Sequence, residues 1–306
     1  RKTIIRHGRR SQTGRALLRA ITVARTPLDF HRRRRTAVRY NQAFPSALMT
    51  DHGGYALLPP GALPDTSQVI DTCQQLFMQK RALVEAMTSS SPKSPRRPLR
   101  KSSFLRDLLN DSDIQANPQL VDFALSDQLF SIVTNYLGII PILNRVDLVY
   151  SIPHQTSNGH ISSQLFHQDP EGLTQAKVFL NVFDVDKANG PFMFIPADHS
   201  ERIVKNIRQQ REEAGLPDDS RYRDDEVSAN GGQAAMLQLT GPAGAAAITD
   251  TSRCLHAGSR IEPGHFRLLL FLQYCTSREK TQRIQRQRFR NDPVRWLALQ
   301  RHSDTD

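Results

Sequence analysis

The sequence predicts a mainly β fold with flanking helices, in the α+β class. After Pro141 the chain consists of short segments rich in β-branched and aromatic residues, separated by turn residues. Before Pro141, apolar residues recur at helical spacing in two long stretches. Many short strands in succession are typical of a β-sandwich, a jelly roll or a barrel. The strand-forming segments are VDLVYSI, ISSQLFHQ, AKVFLNVFDV, PFMFIP, AAMLQLT, GAAAITD and FRLLLFLQY.

The first forty residues differ from the rest of the chain in charge. They carry 13 Lys and Arg and one acid, a net charge of +12, whereas the other 28 basic and 29 acidic residues sum to −1. Because this tail shows little apolar periodicity, we expect residues 1–40 to be disordered or loosely attached. The alternatives are a solvated arm, a transit peptide, and a contact to nucleic acid or to a membrane surface.

Residues 41–306 are predicted to form a single domain. It would comprise N-terminal helices (41–140), a β core (141–276) and a basic helical extension (277–306).

Two helices are predicted before the β core. The first lies within residues 64–87, where apolar residues follow helical spacing. Residues 89–103 are dominated by serine, proline and basic residues, which predicts an exposed loop. The second helix should begin at Asn117-Pro118, a capping residue followed by proline at the first helical position, and run to Gly138.

Composition excludes several classes of protein. The sequence contains no run of about eighteen apolar residues, which a membrane-spanning helix would need. It also contains no short apolar stretch followed by a small-residue cleavage site, which would indicate secretion. The three cysteines, Cys73, Cys254 and Cys275, are widely spaced and lack the spacing of a zinc site. This usage favours reduced thiols, so we expect a cytoplasmic protein.

Two features stand out within the β pattern. The dipeptide Asn189-Gly190 lies between two strand-forming segments and is a strong signal for a two-residue hairpin. From Ser200 to Gly232 the chain is charged and helical or loop-like, which predicts an insertion that covers one end of the β core.

The segment SQLFHQDPEG, residues 163–172, holds the first candidate site residues. Residues i and i+2 of an extended strand point to the same face, so His167 and Asp169 could bind one atom. Two histidines and one carboxylate, with positions left open, are the usual ligands of non-haem Fe(II). The alternative is a surface turn in which Asp169 is a turn former before Pro170.

A second histidine would complete that ligand set. Among the ten histidines, His256 ends a strand-like segment well downstream and precedes a small-residue turn. Cys254 would share its face, although such a cysteine is more often core than ligand. Arg267 stands near the start of an apolar run, where an arginine is costly unless paired. Its partner would be a cosubstrate carboxylate or, alternatively, Glu262 or Asp250.

From about Asn117 to Tyr274 the chain resembles the phytanoyl-CoA dioxygenase-like family of Fe(II)/2-oxoglutarate-dependent oxygenases. The motifs NPQLVDF, FHQDP, NVFDVDKANGPFMFIPADHS, LHAGS and GHFR occur in the family's order. PADHS at residues 196–200 departs from the family's usual Pro-Gly-Ser-His turn and leaves the ligand positions untouched. The resemblance implies a double-stranded β-helix, a cupin-like form of the jelly roll.

The resemblance also implies roles for individual residues. They are the catalytic Fe(II) ligands His167, Asp169 and His256 and, for 2-oxoglutarate, Arg267, Gln168 and Ser259. The implied enzyme uses 2-oxoglutarate and O2 to hydroxylate an unactivated C–H bond of a small molecule, with release of succinate and CO2. Because the carboxylate Asp169 is present, the halide chemistry of relatives that lack it is not expected, whereas desaturation and ring chemistry stay open.

Two rival functions stand beside this one. The first is repair of alkylated nucleic acid, by enzymes whose arginine stands further from the distal histidine. The second is a non-catalytic jelly-roll binding module, tethered to nucleic acid by its Arg-rich tail. The sequence names neither the substrate nor the oligomeric state. The polar segments 151–162 and 200–232 are expected to form the mouth of the site, with Tyr150, His154 and His160 as candidate contacts.

Overall fold

Two antiparallel β-sheets form the centre of the computed structural model, which describes residues 27–89, 104–154, 159–170, 174–276, 282 and 284–300. The strands are β1 (Tyr55–Leu58), β2 (Leu105–Asp107), β3 (Ile142–Ser151), β4 (Phe166–His167), β5 (Gln175–Asn181), β6 (Met193–Phe194), β7 (Arg221–Tyr222), β8 (Leu237–Gln238), β9 (Ala246–Thr249), β10 (His256–Ala257) and β11 (Arg267–Cys275). The larger sheet has the order β1-β9-β5-β11-β3-β2, and the smaller sheet has the order β7-β4-β10-β6-β8.

This strand order is that of a jelly roll. Strands β3, β5, β9 and β11 lie in the larger sheet, and β4, β6, β8 and β10 lie in the smaller one, so the chain passes repeatedly from one sheet to the other. Strands β1 and β2 extend the two edges of the larger sheet, and β7 extends one edge of the smaller sheet. The prediction of a mainly β fold built on a double-stranded β-helix is confirmed.

Helices flank the sheets. They are α1 (Pro27–Ala43), α2 (Thr66–Ser89), α3 (Asp111–Ala116), α4 (Gln119–Ala124), α5 (Asp127–Leu137), α6 (Ala197–Glu213), α7 (Asp224–Ala229), α8 (Gly232–Ala235) and α9 (Pro293–Ala298), with 3-10 turns at Ser162–Gln164 and Gln287–Phe289. Helix α2 confirms the first predicted helix. None of the described helices is long and apolar enough to cross a membrane.

The two faces of the larger sheet have different surroundings. On β11, Leu268, Leu270 and Leu272 are fully buried in the main hydrophobic core, which also contains helix residues. The alternate side chains, including Arg267 and Gln273, line a cavity between the two sheets. Because successive side chains of a strand point to opposite faces, the same strand stabilises the fold and forms one wall of the cavity.

The N-terminal boundary at residue 40 was predicted wrongly, because residues 27–43 form α1. Arg33, Ala37 and Tyr40 lie on one face of this helix and are buried. Arg33 donates hydrogen bonds to Asp29 and to the carbonyl oxygen of Ile140. The net charge of the segment does not reveal this buried stripe. Every third or fourth residue of the helix packs inward, whereas the remaining arginines lie on the solvated face. Residues 1–26 lie outside the described residues.

The second predicted helix is two helices, α4 and α5. The chain leaves the helical conformation at Ser126, whose φ is −60° and ψ is 145°. The Ser126 hydroxyl donates to the carbonyl oxygen of Phe123 at 2.8 Å and so stabilises this break. Helix α5 ends as predicted at Gly138, which adopts the left-handed conformation with a φ of 65°.

The hairpin prediction at Asn189-Gly190 is also wrong. Strand β5, which precedes the turn, pairs with β9 and β11, whereas β6, which follows it, pairs with β8 and β10. The dipeptide does form a turn, in which Gly190 N donates to Lys187 O and Gly190 has a φ of 58°. The turn carries the chain from one sheet to the other, and turn chemistry alone does not specify which strands pair.

The charged segment between β6 and β8 covers the outer face of the smaller sheet rather than one end of the β core. Ile203, Val204 and Ile207 of α6 pack in a second hydrophobic cluster with sheet residues such as Phe166 and Leu255. Of the loop predicted at residues 89–103, Ser89 is the last residue of α2 and the rest lies outside the described residues. So do residues 277–281, 283 and 301–306 of the predicted C-terminal extension, whose described part forms a 3-10 turn and α9.

Candidate active site

Two histidines and one aspartate meet on the inner side of the smaller sheet. His167 in β4 and His256 in β10 are directly paired across the two strands, and their ring centroids lie 4.2 Å apart. Asp169 follows β4. Its Oδ1 lies 3.6 Å from His167 Nε2, and its Oδ2 lies 3.3 Å from His256 Nε2. The structure therefore brings together the three predicted metal ligands, with all of their ligand atoms within 4.8 Å of one another.

Backbone carbonyls fix the orientation of both imidazole rings. Nδ1 of His167 lies 2.9 Å from Leu165 O, and Nδ1 of His256 lies 3.0 Å from Cys254 O. A carbonyl oxygen only accepts hydrogen bonds, so each Nδ1 carries the proton and donates it. Burial, followed by the neighbouring His256, lowers the pKa of His167 well below its ordinary value, which favours the neutral ring. Both rings direct Nε2 toward Asp169.

A lysine contacts the carboxylate of the cluster. Lys177 Nζ lies 2.6 Å from Asp169 Oδ2. Burial acts to raise the pKa of Asp169, but attraction to Lys177 and then to the histidines outweighs it, so that pKa lies well below its usual range. The Asp169 backbone is held as well, because its N–H donates to Thr251 O at 2.8 Å. Asp169 is thus an ionised carboxylate in a fixed position.

Arg267 lies buried at the first residue of β11, with only 4 % of its surface exposed. Its guanidinium donates to Gly190 O through Nη1 and to Ser259 Oγ through Nη2, the latter at 3.0 Å. Among the described residues, its Nε has no hydrogen-bond partner, and no carboxylate forms an ion pair with Arg267. Burial without a neighbouring acid lowers the pKa of this guanidinium. Such a cation calls for an anion.

Neither of the acids that were alternative partners pairs with Arg267. Asp250 accepts hydrogen bonds from Tyr136 Oη at 2.8 Å and from the Ser252 hydroxyl. Glu262 forms no ion pair among the described residues, and its backbone N–H bonds to Ala188 O. In the described part of the chain, Arg267 therefore pairs with neither Glu262 nor Asp250.

The cavity that joins these groups lies between the sheets and has a volume of about 160 Å³. Arg267 and Ser259 line its closed end, where Ser151 Oγ lies 3.0 Å from Ser259 Oγ. At the other end lie Asp107 and Arg145, whose side chains are 48 % and 30 % exposed. The cavity is therefore open to solvent at the end that is remote from Arg267.

Aromatic and polar side chains separate the two ends. Phe179, Phe192 and Phe271 line the cavity, and Phe179 stacks on Phe192 with centroids 3.9 Å apart. Beyond them, Arg145, Gln273 and Lys177 lie side by side on β3, β11 and β5, because Gln273 is paired with the other two.

Several predicted contacts are not brought to the cavity. The side chain of Gln168 lies between two inward-facing ligands in an extended segment and donates to Arg253 O instead. The thiol of Cys254 is buried against the carbonyl oxygens of Gly53 and Gly54. Tyr150 packs on the outer face of the larger sheet against Phe77. His154 stacks on Phe104, and neither it nor His160 lines the cavity.

Lys177 and Arg145 were not singled out in the sequence, although one signal was present. Lys177 stands inside the apolar segment AKVFLNVF, where it alternates with core residues. A lysine at such a position must find an acceptor inside the protein. The partner, Asp169, precedes Lys177 by eight residues and follows β4, which lies in the opposite sheet.

Comparison with known proteins gives structural neighbours only. No protein-family model matches the chain, and no curated protein matches it. Among solved structures, AviO1 from Streptomyces viridochromogenes is similar, with 17% identity, 79% of this chain and 94% of that chain covered, and a TM-score of 0.45. EctD from S. alaskensis with 2-oxoglutarate and 5-hydroxyectoine has 16% identity, coverages of 79% and 75%, and a TM-score of 0.46. HygX from Streptomyces hygroscopicus with nickel and 2-oxoglutarate has 16% identity, coverages of 75% and 86%, and a TM-score of 0.43. These values are too low to carry an argument about function.

Proposed function

We propose that this chain is an Fe(II)- and 2-oxoglutarate-dependent dioxygenase that hydroxylates an unactivated C–H bond of a small molecule. One observation carries the proposal. A single cavity between the sheets holds the cluster of His167, Asp169 and His256 and, at its closed end, the buried cation Arg267, which has no acidic partner among the described residues. The first group calls for a metal ion, and the second calls for an anion.

The donor set fits iron. With both Nδ1 atoms donating to backbone carbonyls, the two Nε2 atoms and an ionised carboxylate converge, with all three ligand atoms within 4.8 Å of one another. A metal cation between them would be attracted by the carboxylate charge and could accept a lone pair from each of the three groups. Two imidazoles and one carboxylate leave several positions of an octahedral ion free, as non-haem Fe(II) oxygenases require.

The closed end fits the far carboxylate of 2-oxoglutarate. The buried Nε of Arg267 still has a hydrogen to donate, and Ser259 presents a hydroxyl beside the guanidinium. A guanidinium and a hydroxyl together suit a carboxylate. A dicarboxylic 2-oxo acid can reach the metal with its other end, so the two halves of the cavity fit one molecule.

The chain's own residues then have distinct tasks. Bound iron with 2-oxoglutarate would supply oxidation of a C–H bond by O2, with succinate and CO2 as coproducts. His167, Asp169 and His256 would hold the metal, and Arg267 and Ser259 would orient the cosubstrate. Phe179, Phe192 and Phe271 would keep water away from the metal.

The substrate would bind at the open end of the cavity, near Asp107 and Arg145. A carboxylate and a guanidinium face the solvent at this end, which suits a polar small molecule. The mouth predicted from residues 151–162 and 200–232 contributes little lining, because strand residues of the larger sheet form most of this end.

The proposal is tested by screening polar small molecules for substrate-stimulated succinate formation by the Fe(II)-loaded protein. We expect at least one compound to stimulate turnover in the wild type and none to do so in His167→Ala or His256→Ala. Stimulation that survives both changes would contradict the assignment of the metal site.

A further inference from the structure

Lys177 is a buried cation in the candidate active site. It lies on β5, where its neighbours Ala176 and Val178 are fully buried on the opposite face of the sheet. Its own side chain points into the space between the sheets and is 10 % exposed. Burial of an ammonium group is costly unless a partner compensates it, so the position of this lysine requires an explanation.

The ammonium group of Lys177 binds one of the two carboxylate oxygens of Asp169. It donates to Oδ2 at 2.6 Å, and His256 Nε2 lies 3.3 Å from the same oxygen, whereas Oδ1 lies 3.6 Å from His167 Nε2. The ring of Phe271 lies below the ammonium, with its centroid 5.7 Å from Nζ. This cation–π contact and the strand backbone hold Lys177 in place.

Each of the three candidate ligands therefore has a hydrogen-bond partner that orients it. Leu165 O orients His167, Cys254 O orients His256, and Lys177 orients Asp169. Partners of this kind fix the geometry of metal ligands and tune the metal. A carboxylate needs such control because it can bind a metal through one oxygen or through both.

We propose that Lys177 is a positioning residue that holds Asp169 as a one-oxygen metal ligand and so keeps a coordination position open for the cosubstrate and O2. This inference rests on the proposed function. An ammonium bound to one carboxylate oxygen competes with the metal for that oxygen. Without it, the carboxylate can turn and occupy a second position on the metal.

The chain offers a matched control in Arg145. This side chain lies on the neighbouring part of the same cavity wall, and its guanidinium lies over the same Phe271 ring at 5.2 Å. Arg145 pairs with Asp107 at 2.6 Å and with Asp147 at 2.8 Å, and forms no bond to Asp169. Arg145→Met therefore removes a cation from the cavity without changing the partner of the metal ligand.

The test counts open coordination positions directly. Mn(II) is loaded into the wild type, Lys177→Met and Arg145→Met, and water-proton relaxation measures the number of exchangeable waters on the metal. We expect Lys177→Met to hold one water fewer than the wild type and to bind 2-oxoglutarate more weakly, with activity lower by roughly 10–100-fold, the range for loss of a metal ligand's outer partner. Arg145→Met should match the wild type in the water count, and Lys177→Arg should restore part of it.

Specific results overturn the inference. If folded Lys177→Met keeps the wild-type number of waters and the wild-type affinity for 2-oxoglutarate, Lys177 is an ordinary buried ion-pair partner. Lys177→Leu, which also lacks a donor, gives the same test should the Met variant fail to fold. A wild type that binds neither Mn(II) nor Fe(II) overturns the proposed function and this inference with it.

Discussion

Replacement of Arg267 by leucine separates a 2-oxoglutarate enzyme from an iron protein that uses another reductant. The guanidinium is 4 % exposed, its Nε has no partner among the described residues, and its two other nitrogens are bound by Gly190 O and Ser259 Oγ. If the far carboxylate of the cosubstrate completes this environment, Arg267→Leu leaves that carboxylate buried and unpaired.

The expected loss follows from the cost of breaking a buried charge pair. Removing one partner costs roughly 2–5 kcal/mol, which at about 1.4 kcal/mol per decade means that 2-oxoglutarate binds about 30-fold to several thousand-fold more weakly. Fe(II) affinity in the absence of 2-oxoglutarate should barely change, because the three ligands remain. The fold should survive, since leucine continues the buried run Leu268-Leu269-Leu270.

The assay is a pair of anaerobic titrations, first with Fe(II) and then with 2-oxoglutarate, on the wild type and Arg267→Leu. Arg145→Leu is the control, because this arginine lies at the open end of the cavity and its side chain is 30 % exposed. If a folded Arg267→Leu binds 2-oxoglutarate within a factor of about three of the wild type, under about 1 kcal/mol as for an exposed pair, the cosubstrate assignment fails.

Three further predictions concern a glycine, the first helix and the metal. Gly190→Ala should lower stability and weaken 2-oxoglutarate binding, because the added Cβ would lie 2.6 Å from backbone atoms of the β10–β11 loop and the φ of this residue is +58°. The control Gly61→Ala has a φ of +78° but no atom within 4 Å of the added Cβ, so it should affect thermal unfolding alone. A chain that starts at residue 41 should unfold at a lower temperature than one that starts at residue 27, since it lacks the buried face of α1; equal unfolding temperatures would show that α1 adds nothing. Mn(II) at 100 times its Kd should stabilise the wild type by about 2.7 kcal/mol, and His256→Ala should abolish this gain in a calorimetric scan.

The site was predictable from the sequence where its geometry is local. His167 and Asp169 share a face because they are two residues apart in an extended segment, and this holds in the structure, where both lie within the same cluster. The same rule explains why Gln168, which lies between them, faces the other way. The resemblance to an enzyme family suggested Gln168, whereas strand alternation argues against it.

The residues that were missed depend on contacts between the sheets. Lys177 meets Asp169 only because β5 and β4 lie in opposite sheets that face each other across the cavity. Arg145 becomes its neighbour only through the pairing of β3, β11 and β5. Neither contact follows from a regular spacing of residues along the sequence. Both can be recognised only when the register of the strands in the sheets is known.

The error over α1 has a different origin. The tail was judged by its net charge, which averages over all sides of a helix. Arg33, Ala37 and Tyr40 follow a spacing of three to four residues, and Tyr40 donates to Asp127 Oδ1 at 2.9 Å. A pattern read residue by residue would have favoured a helix, because a basic surface is compatible with one buried stripe.

The central claim is that His167, Asp169 and His256 bind Fe(II) and that 2-oxoglutarate joins the metal in the same cavity. Its most direct test is the visible charge-transfer band that forms when Fe(II) and 2-oxoglutarate are added anaerobically. The band should appear in the wild type, persist in Cys254→Ala, and be lost in His167→Ala, Asp169→Ala and His256→Ala. A folded wild type without the band, or its loss in Cys254→Ala alone, would contradict the claim.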